Sequence, residues 1–419
     1  MKYTGFLCGA FSVNGTVQAD NGWRSVTVDD AMRAVSSKFY YPEFVDFCFG
    51  ANINSIHRLV MDVKQKVAIT VGRAATQREV DVFIPEIMFY QAPFGLALFA
   101  VRVDIDACDN DITAVISRLR SIDSVADGNA SFASLVLDPL MKLYRKHARS
   151  AADVAGRENK ECYARLVEYG NKLKAFQIAV VEGCEWNSET ADNLLYELGT
   201  LAPIGSYNPE DDYSSSKEYF NSIMKDGKVS VFNNWKALAL FDTFTMFGHD
   251  ISENTIANWV ENYFGMLYIS ELFVKFYLFR LNNDFRINHK GADKLLDQFD
   301  DFEYGCWFDN VSYNFLPRII HHSMEQGLEV LSEKQLLYQM IAQQKNRREE
   351  RDNQRMNNLL FYLTLLTTFS MVWDASSLFN EMYPYETYIG SSIVGFRVVS
   401  YALMLIVLVL IMTARFKRK

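Results

Sequence analysis

The sequence predicts an α+β cytosolic domain followed by a long stalk helix and two C-terminal transmembrane helices. Three observations predict it. Residues 1–250 alternate short strand-like apolar runs with helical ones, no proline follows Pro317 before Trp373, and the last sixty residues hold two uncharged apolar runs.

The body comes first. Strand candidates are 6–13, 67–71, 80–84, 96–103, 176–181 and 237–244, and helix candidates are 111–122, 135–148 and 191–198. Residues 205–217, with Pro209, Asp211, Asp212 and three serines, read as a surface loop. Residues 1–250 are therefore assigned to a cytosolic α/β sensor domain. Residues 251–316 are assigned to a helical segment packing on the stalk, with a long aromatic-rich helix over 256–281.

The stalk helix is placed at 317–358, opening at Pro317, a residue suited to a first turn. Gly327 is its one weak point. Leu328, Leu331, Gln335, Tyr338 and Ala342 recur every three or four residues and give one apolar stripe. The run KNRREERDNQR then mixes charges at helical spacing, as a solvated surface or a juxtamembrane collar would.

The first span is 359–373, LLFYLTLLTTFSMVW, and the second is 397–414. Nine basic residues flank the outer ends of the pair, and Arg397 is the only base between Trp373 and Val398. The positive-inside rule puts both termini in the cytoplasm, residues 374–396 outside, and 415–419 in a basic cytosolic tail. The expected location is the cell inner membrane, multi-pass, with membrane lipid as a partner.

On the first span Asn357, Leu360, Thr364, Thr367, Met371 and Asp374 alternate steps of three and four, so they share one face. That face could line a narrow polar path, with Leu360 and Met371 as constrictions and Asp374 at the mouth. The competing reading has the threonines bonded to backbone carbonyls. A path needs several copies around an axis, which predicts a homo-oligomer.

Composition narrows the chemistry. The chain has 419 residues, 49% hydrophobic and 22% charged, which excludes a disordered chain. Residues 345–419 carry ten Lys/Arg against six Asp/Glu, leaving 32 against 45 in residues 1–344, a net of −13. A body that acidic repels a phosphate backbone, so no nucleic-acid partner is expected, although one nucleotide could find a pocket. Cysteines 8, 48, 108, 162, 184 and 306 form no CxxC pair and read as reduced, mostly buried thiols. No phosphate loop, GxSxG or HExxH occurs, so no catalytic residue is assigned and no enzyme is expected.

His321 and His322 are neighbours and on a helix point about 100° apart, which suits a surface or interface role better than one shared metal. Asp297, Asp300, Asp301, Glu303 and Asp309 cluster before the stalk. The first four are weak candidates for a metal site, with a solvated loop as the plainer reading. No residue set identifies a nucleotide pocket.

The layout of α/β body, long helix, short loop, second helix and basic tail resembles the CorA-like divalent-cation transporters. The resemblance covers residues 315–419 best. It implies a homo-oligomer, usually a pentamer, with the first span around the pore, and Mg2+ held by acidic groups between subunits. The family's Gly-Met-Asn signature is matched here only by Ser370-Met371-Val372-Trp373-Asp374. The chain more closely resembles CorA-like membrane effectors of type III CRISPR defence. That likeness implies an antiviral channel opened by a small nucleotide messenger, a conjugate of S-adenosylmethionine and AMP, with no organic cofactor. A magnesium or other divalent-cation transporter is the first alternative, and a membrane-anchored enzyme the second.

Overall fold

In the computed structural model the described residues are those up to Met382, with 402 and 405 beyond it. The exceptions are 20–21, 27–29, 51–53, 73–76, 107–108, 123–124, 126–128, 148–159, 169, 171, 184–185 and 288–291. Contacts divide the chain into a body, Met1–Met340, and a C-terminal unit, Ile341–Lys419.

Among the described residues of the body, nine strands form one mixed sheet. They are β1 (Lys2–Ser12), β2 (Arg24–Ser25), β3 (His57–Val71), β4 (Arg78–Ala92), β5 (Leu96–Asp106), β6 (Lys174–Val181), β7 (Lys228–Phe232), β8 (Trp235–Ala239) and β9 (Thr243–His249). The order is β2-β3-β4-β5-β1-β6-β9-β8-β7, antiparallel except for the β6–β9 pair. Strand β1 lies between β5 and β6 and is buried on both faces, which is why it reads as a nearly unbroken apolar run.

The strand candidate at 237–244 is two strands. Leu240 to Asp242 turn the chain back, with the Leu240 amide donating to the Thr243 carbonyl at 2.7 Å. Neighbouring apolar runs conceal such a turn when no Gly or Pro marks it.

Helices cover both faces of the sheet. The helices are α1 (Asp30–Ser36), α2 (Pro42–Phe49), α3 (Asp109–Arg120), α4 (Asp138–His147), α5 (Ser188–Thr200) and α6 (Lys217–Gly227). Ile112, Val115, Leu119, Leu140, Leu195 and Leu198 from α3, α4 and α5 join Leu7, Phe11, Phe99 and Val101 in one core. On the opposite face lie α7 (Glu253–Asn258), a π-helical stretch (Trp259–Tyr268) and α8 (Ile269–Ile287). Phe264 stacks on Phe6 with ring centroids 3.8 Å apart, and Tyr268 meets Phe176 at 5.2 Å. The body is completed by α9 (Ala292–Cys306), α10 (Phe315–Gly327) and the first turns of α11 (Val330–Met382).

A continuous helix from Pro317 is expected from the sequence, but the chain breaks at Leu328 and Glu329. Glu329 has φ of 56°, in the left-handed region. Gly327 lies so close to β8 that a Cβ there would stand 2.7 Å from the Ala239 Cβ and 2.8 Å from its carbonyl carbon. The glycine thus marks a close helix–sheet approach as well as a helix end.

The largest correction concerns the membrane. Among the described residues, no helix is long and apolar enough to cross one. This overturns the two-span fold, the ion channel and the multi-pass inner-membrane location expected above. Residues 359–373 lie inside α11. They offer about 22 Å of helix against a hydrocarbon core of about 30 Å. Tyr362, Thr364, Thr367, Thr368 and Ser370 dilute the run, and Asp374 closes it. The helix continues past Asp374 to Met382. Residues 397–414 lie outside the described residues apart from 402 and 405, as do 383–396 and the tail at 415–419.

Candidate functional site

Helix α8 organises the polar interior of the body. Its Glu271, Lys275 and Asn282 are all buried. Asn282 Nδ2 donates to Glu333 Oε2 at 2.7 Å, and Lys275 lies 3.5 Å from Glu333 Oε1, which ties α11 to α8. Glu271, one turn before Lys275, accepts from His321 Nε2 of α10 at 2.8 Å. Both α10 and the start of α11 are therefore held by one helix.

Two grooves flank the start of α10, and the exposed Phe315 lines both. The first encloses about 470 Å³. Asn254, Asn258, Asn262 and Asn314 line it. The first three recur every four residues along α7 and the π-helical stretch, so they stand in a row. Asn262 Nδ2 donates to Asn258 Oδ1 at 2.6 Å. Local chemistry sets the row. Ser252 caps α7 by accepting from the Thr255 amide at 3.3 Å. Tyr263 of the π stretch edges the groove, although it is buried like Trp259, Phe264 and Tyr268 beside it. Such stretches recur at functional sites. Phe39 and Phe315 supply exposed aromatic surface beside the amides.

The second groove, about 380 Å³, is lined by Asp309, Arg318, His321, His322 and Glu325 among others. His321 is 4% exposed, whereas the side chain of its neighbour His322 is 69% exposed. His321 Nδ1 stands 3.9 Å from Glu325 Oε2. Burial pushes the His321 imidazole down, but the charge and hydrogen bond of Glu271 outweigh it and hold its pKa above the ordinary value. Burial and the charge of Glu271 push the Glu325 carboxyl up. Ligand atoms of Glu271, His321 and Glu325 all lie within 4.8 Å of one another, the one grouping of its kind among the described residues.

The residues singled out by sequence fall elsewhere. Asp297, Asp300 and Asp301 are exposed on α9. Glu303 accepts from the Tyr338 hydroxyl and lies 3.6 Å from Lys334. Asn357, Leu360, Thr364, Thr367, Met371 and Asp374 are exposed along α11. Thr364 donates to the Leu360 carbonyl at 2.8 Å, and Thr367 to the carbonyls of Leu363 and Thr364 at 3.0 and 2.9 Å. Sequence reasoning passed over the asparagine row, although its four-residue period was visible, and over Glu271, whose partner is fifty residues away.

Among the described residues Cys8, Cys48 and Cys306 are buried, and burial pushes all three thiols up, that of Cys306 to about 12. Comparison with known proteins found no matching family model, no similar curated protein and no similar solved structure.

Proposed function

We propose that the chain is a ligand-responsive regulatory protein, not an enzyme, whose body binds a small adenine-type nucleotide in the asparagine-lined groove. The row of amides beside aromatic rings carries the reading. An asparagine amide offers one donor and one acceptor side by side, the pattern that pairs with the N6 and N7 edge of adenine. Aromatic faces stack on bases with little cost in specificity elsewhere. Arg318, across Phe315, supplies positive charge for a phosphate in a net-acidic body. The ligand class is the one implied by the resemblance to CorA-like effectors; the membrane crossing in that resemblance forms no part of the proposal.

The output is α10 and the helix that follows it. The groove is built partly from the first residues of α10, and α10 ends at the strained Glu329 before α11 begins. A ligand that binds one arrangement of α10 better than another shifts the balance between them by its differential affinity.

Calorimetric titration of AMP, ATP and S-adenosylmethionine into the full chain tests the reading. At least one of the three should bind saturably at micromolar to submillimolar concentration. Asn258→Ala combined with Asn262→Ala should weaken that binding by roughly tenfold or more, the cost of losing one bidentate base contact of about 1–3 kcal/mol. Absence of binding by all three ligands, or binding unchanged in the folded double variant, would contradict it.

A further inference from the structure

We propose that Glu271, His321 and Glu325 form a binding site for a divalent first-row transition cation of the Zn2+ class. The argument starts from charge. Two carboxylates and one imidazole meet with little access to water: Glu271 is 5%, His321 4% and Glu325 8% exposed. With all carboxylates ionised and the imidazole protonated, the group still carries one net negative charge. A buried uncompensated charge is destabilising. With a neutral imidazole the deficit is two charges, which one divalent cation cancels.

A second observation points the same way. Glu271 Oε2 is buried and has no hydrogen-bond partner among the described residues, while its Oε1 is engaged by His321 Nε2 at 2.8 Å. A buried carboxylate oxygen without a donor forfeits its hydration and gains nothing in return. A cation placed among the three ligand atoms would supply the missing partner. His321 and Glu325 are four apart on α10, hence on one face, and Glu271 faces them from α8. Ligand atoms within 4.8 Å need only small side-chain rotations to close around a cation with bonds of about 2.0–2.2 Å. The groove of about 380 Å³ reaches His321 and Glu325 and gives an access route, with room for water as a further ligand.

The donor set selects the cation. One imidazole nitrogen with carboxylate oxygens suits Zn2+ and its first-row neighbours, whereas Mg2+ prefers oxygen alone and keeps its water. This differs from the Mg2+ that the family resemblance implies, and from the acidic residues of α9 that the sequence offered for it. The site also sits on the contact between α8 and α10, so occupancy would fasten α10.

The test uses the full chain stripped with a chelator and dialysed free of it, with no nucleotide present. Zn2+, Mn2+, Co2+ and Mg2+ are added separately, and uptake is read by elemental analysis and calorimetry. One Zn2+ should bind per chain, at least about tenfold more tightly than Mg2+. Glu325→Gln and His321→Gln should each weaken Zn2+ binding by at least about tenfold, while the exposed His57→Gln on β3 leaves it within about threefold. Should both inner variants lose cooperative melting, the Co2+ spectrum of the unaltered chain decides. Intense visible bands of four- or five-coordinate Co2+ at one equivalent support the site. A spectrum like that of the aquo ion overturns it. Sub-stoichiometric uptake, preference for Mg2+, or equal loss in His57→Gln also overturns it. Nucleotide binding can fail without affecting any of these readouts.

Discussion

At the residue scale, the body relies on a few charges withdrawn from water and paired. Asp242 lies between Lys174 and Arg120, each 2.8 Å away, and Lys174 also sits 3.5 Å over the Phe241 ring. Burial opposes ionisation of Asp242, but the hydrogen bond and charge of Lys174, joined by Arg120, outweigh it and hold the carboxyl below its ordinary pKa. A carboxyl depressed in the folded state adds stability above its unfolded pKa of about 3.9 and loses it as pH falls through the folded value. The stability curve should therefore fall below about pH 4 partly through Asp242. Asp242→Asn should melt lower at neutral pH and show a shallower acid limb, both read by thermal melts across pH. An acid limb unchanged in the variant would rule the pairing out as a contributor. Which of the two histidines is buried was not legible in the sequence, because adjacent positions on a helix are equally eligible until the sheet and α8 are in place. Glu271 was hidden more deeply, as a charge inside a run of aromatic core residues.

At the element scale, composition marked most of β1, β5 and β6, only the end of β3 and the start of β4, and neither β2 nor β7. The marked runs stand out because β-branched and aromatic residues fill them between turn residues. The reversal after β8 carries no Gly or Pro, and the π-helical stretch leaves no local trace, since the same residues would serve an α-helix. The α10–α11 break was half legible: Gly327 pointed to it, but the strain falls two residues later. Glu329 is exposed and left-handed, a conformation that costs a non-glycine residue about 1–2 kcal/mol. Glycine costs about 0.5–1 kcal/mol in chain entropy. Glu329→Gly should therefore stabilise the body by about 0.5–1 kcal/mol in urea unfolding. A loss of stability would mean that Glu329 makes a contact stronger than its strain. Gly327→Ala should act in the opposite sense, because its methyl group meets the backbone of Ala239 rather than a yielding side chain.

At the scale of the whole molecule, the C-terminal unit poses a separate question. Leu359, Leu363, Leu366 and Trp373 are each more than 60% exposed along α11 and repeat at the four- and three-residue steps of a coiled-coil seam. A helix face of that kind wants a partner, and we expect it to be another copy of the same helix. Light scattering of the full chain should give an oligomer. Leu363→Glu with Leu366→Glu should shift it toward the monomer without lowering the melting of the body; an unchanged mass would place the contact elsewhere. The sequence showed this apolar run plainly, yet its length and hydropathy left it short of a membrane span once Thr, Ser and Tyr were counted against it.

The central claim is that occupancy of the asparagine-lined groove is read through α10. Hydrogen exchange of residues 315–334, measured with and without a saturating nucleotide identified by calorimetry, tests it most directly. Protection should rise both at the start of α10 and across Leu328 and Glu329, and Asn258→Ala with Asn262→Ala should abolish both changes together. Nucleotide binding that protects the groove and leaves residues 326–334 exchanging as before would contradict the account.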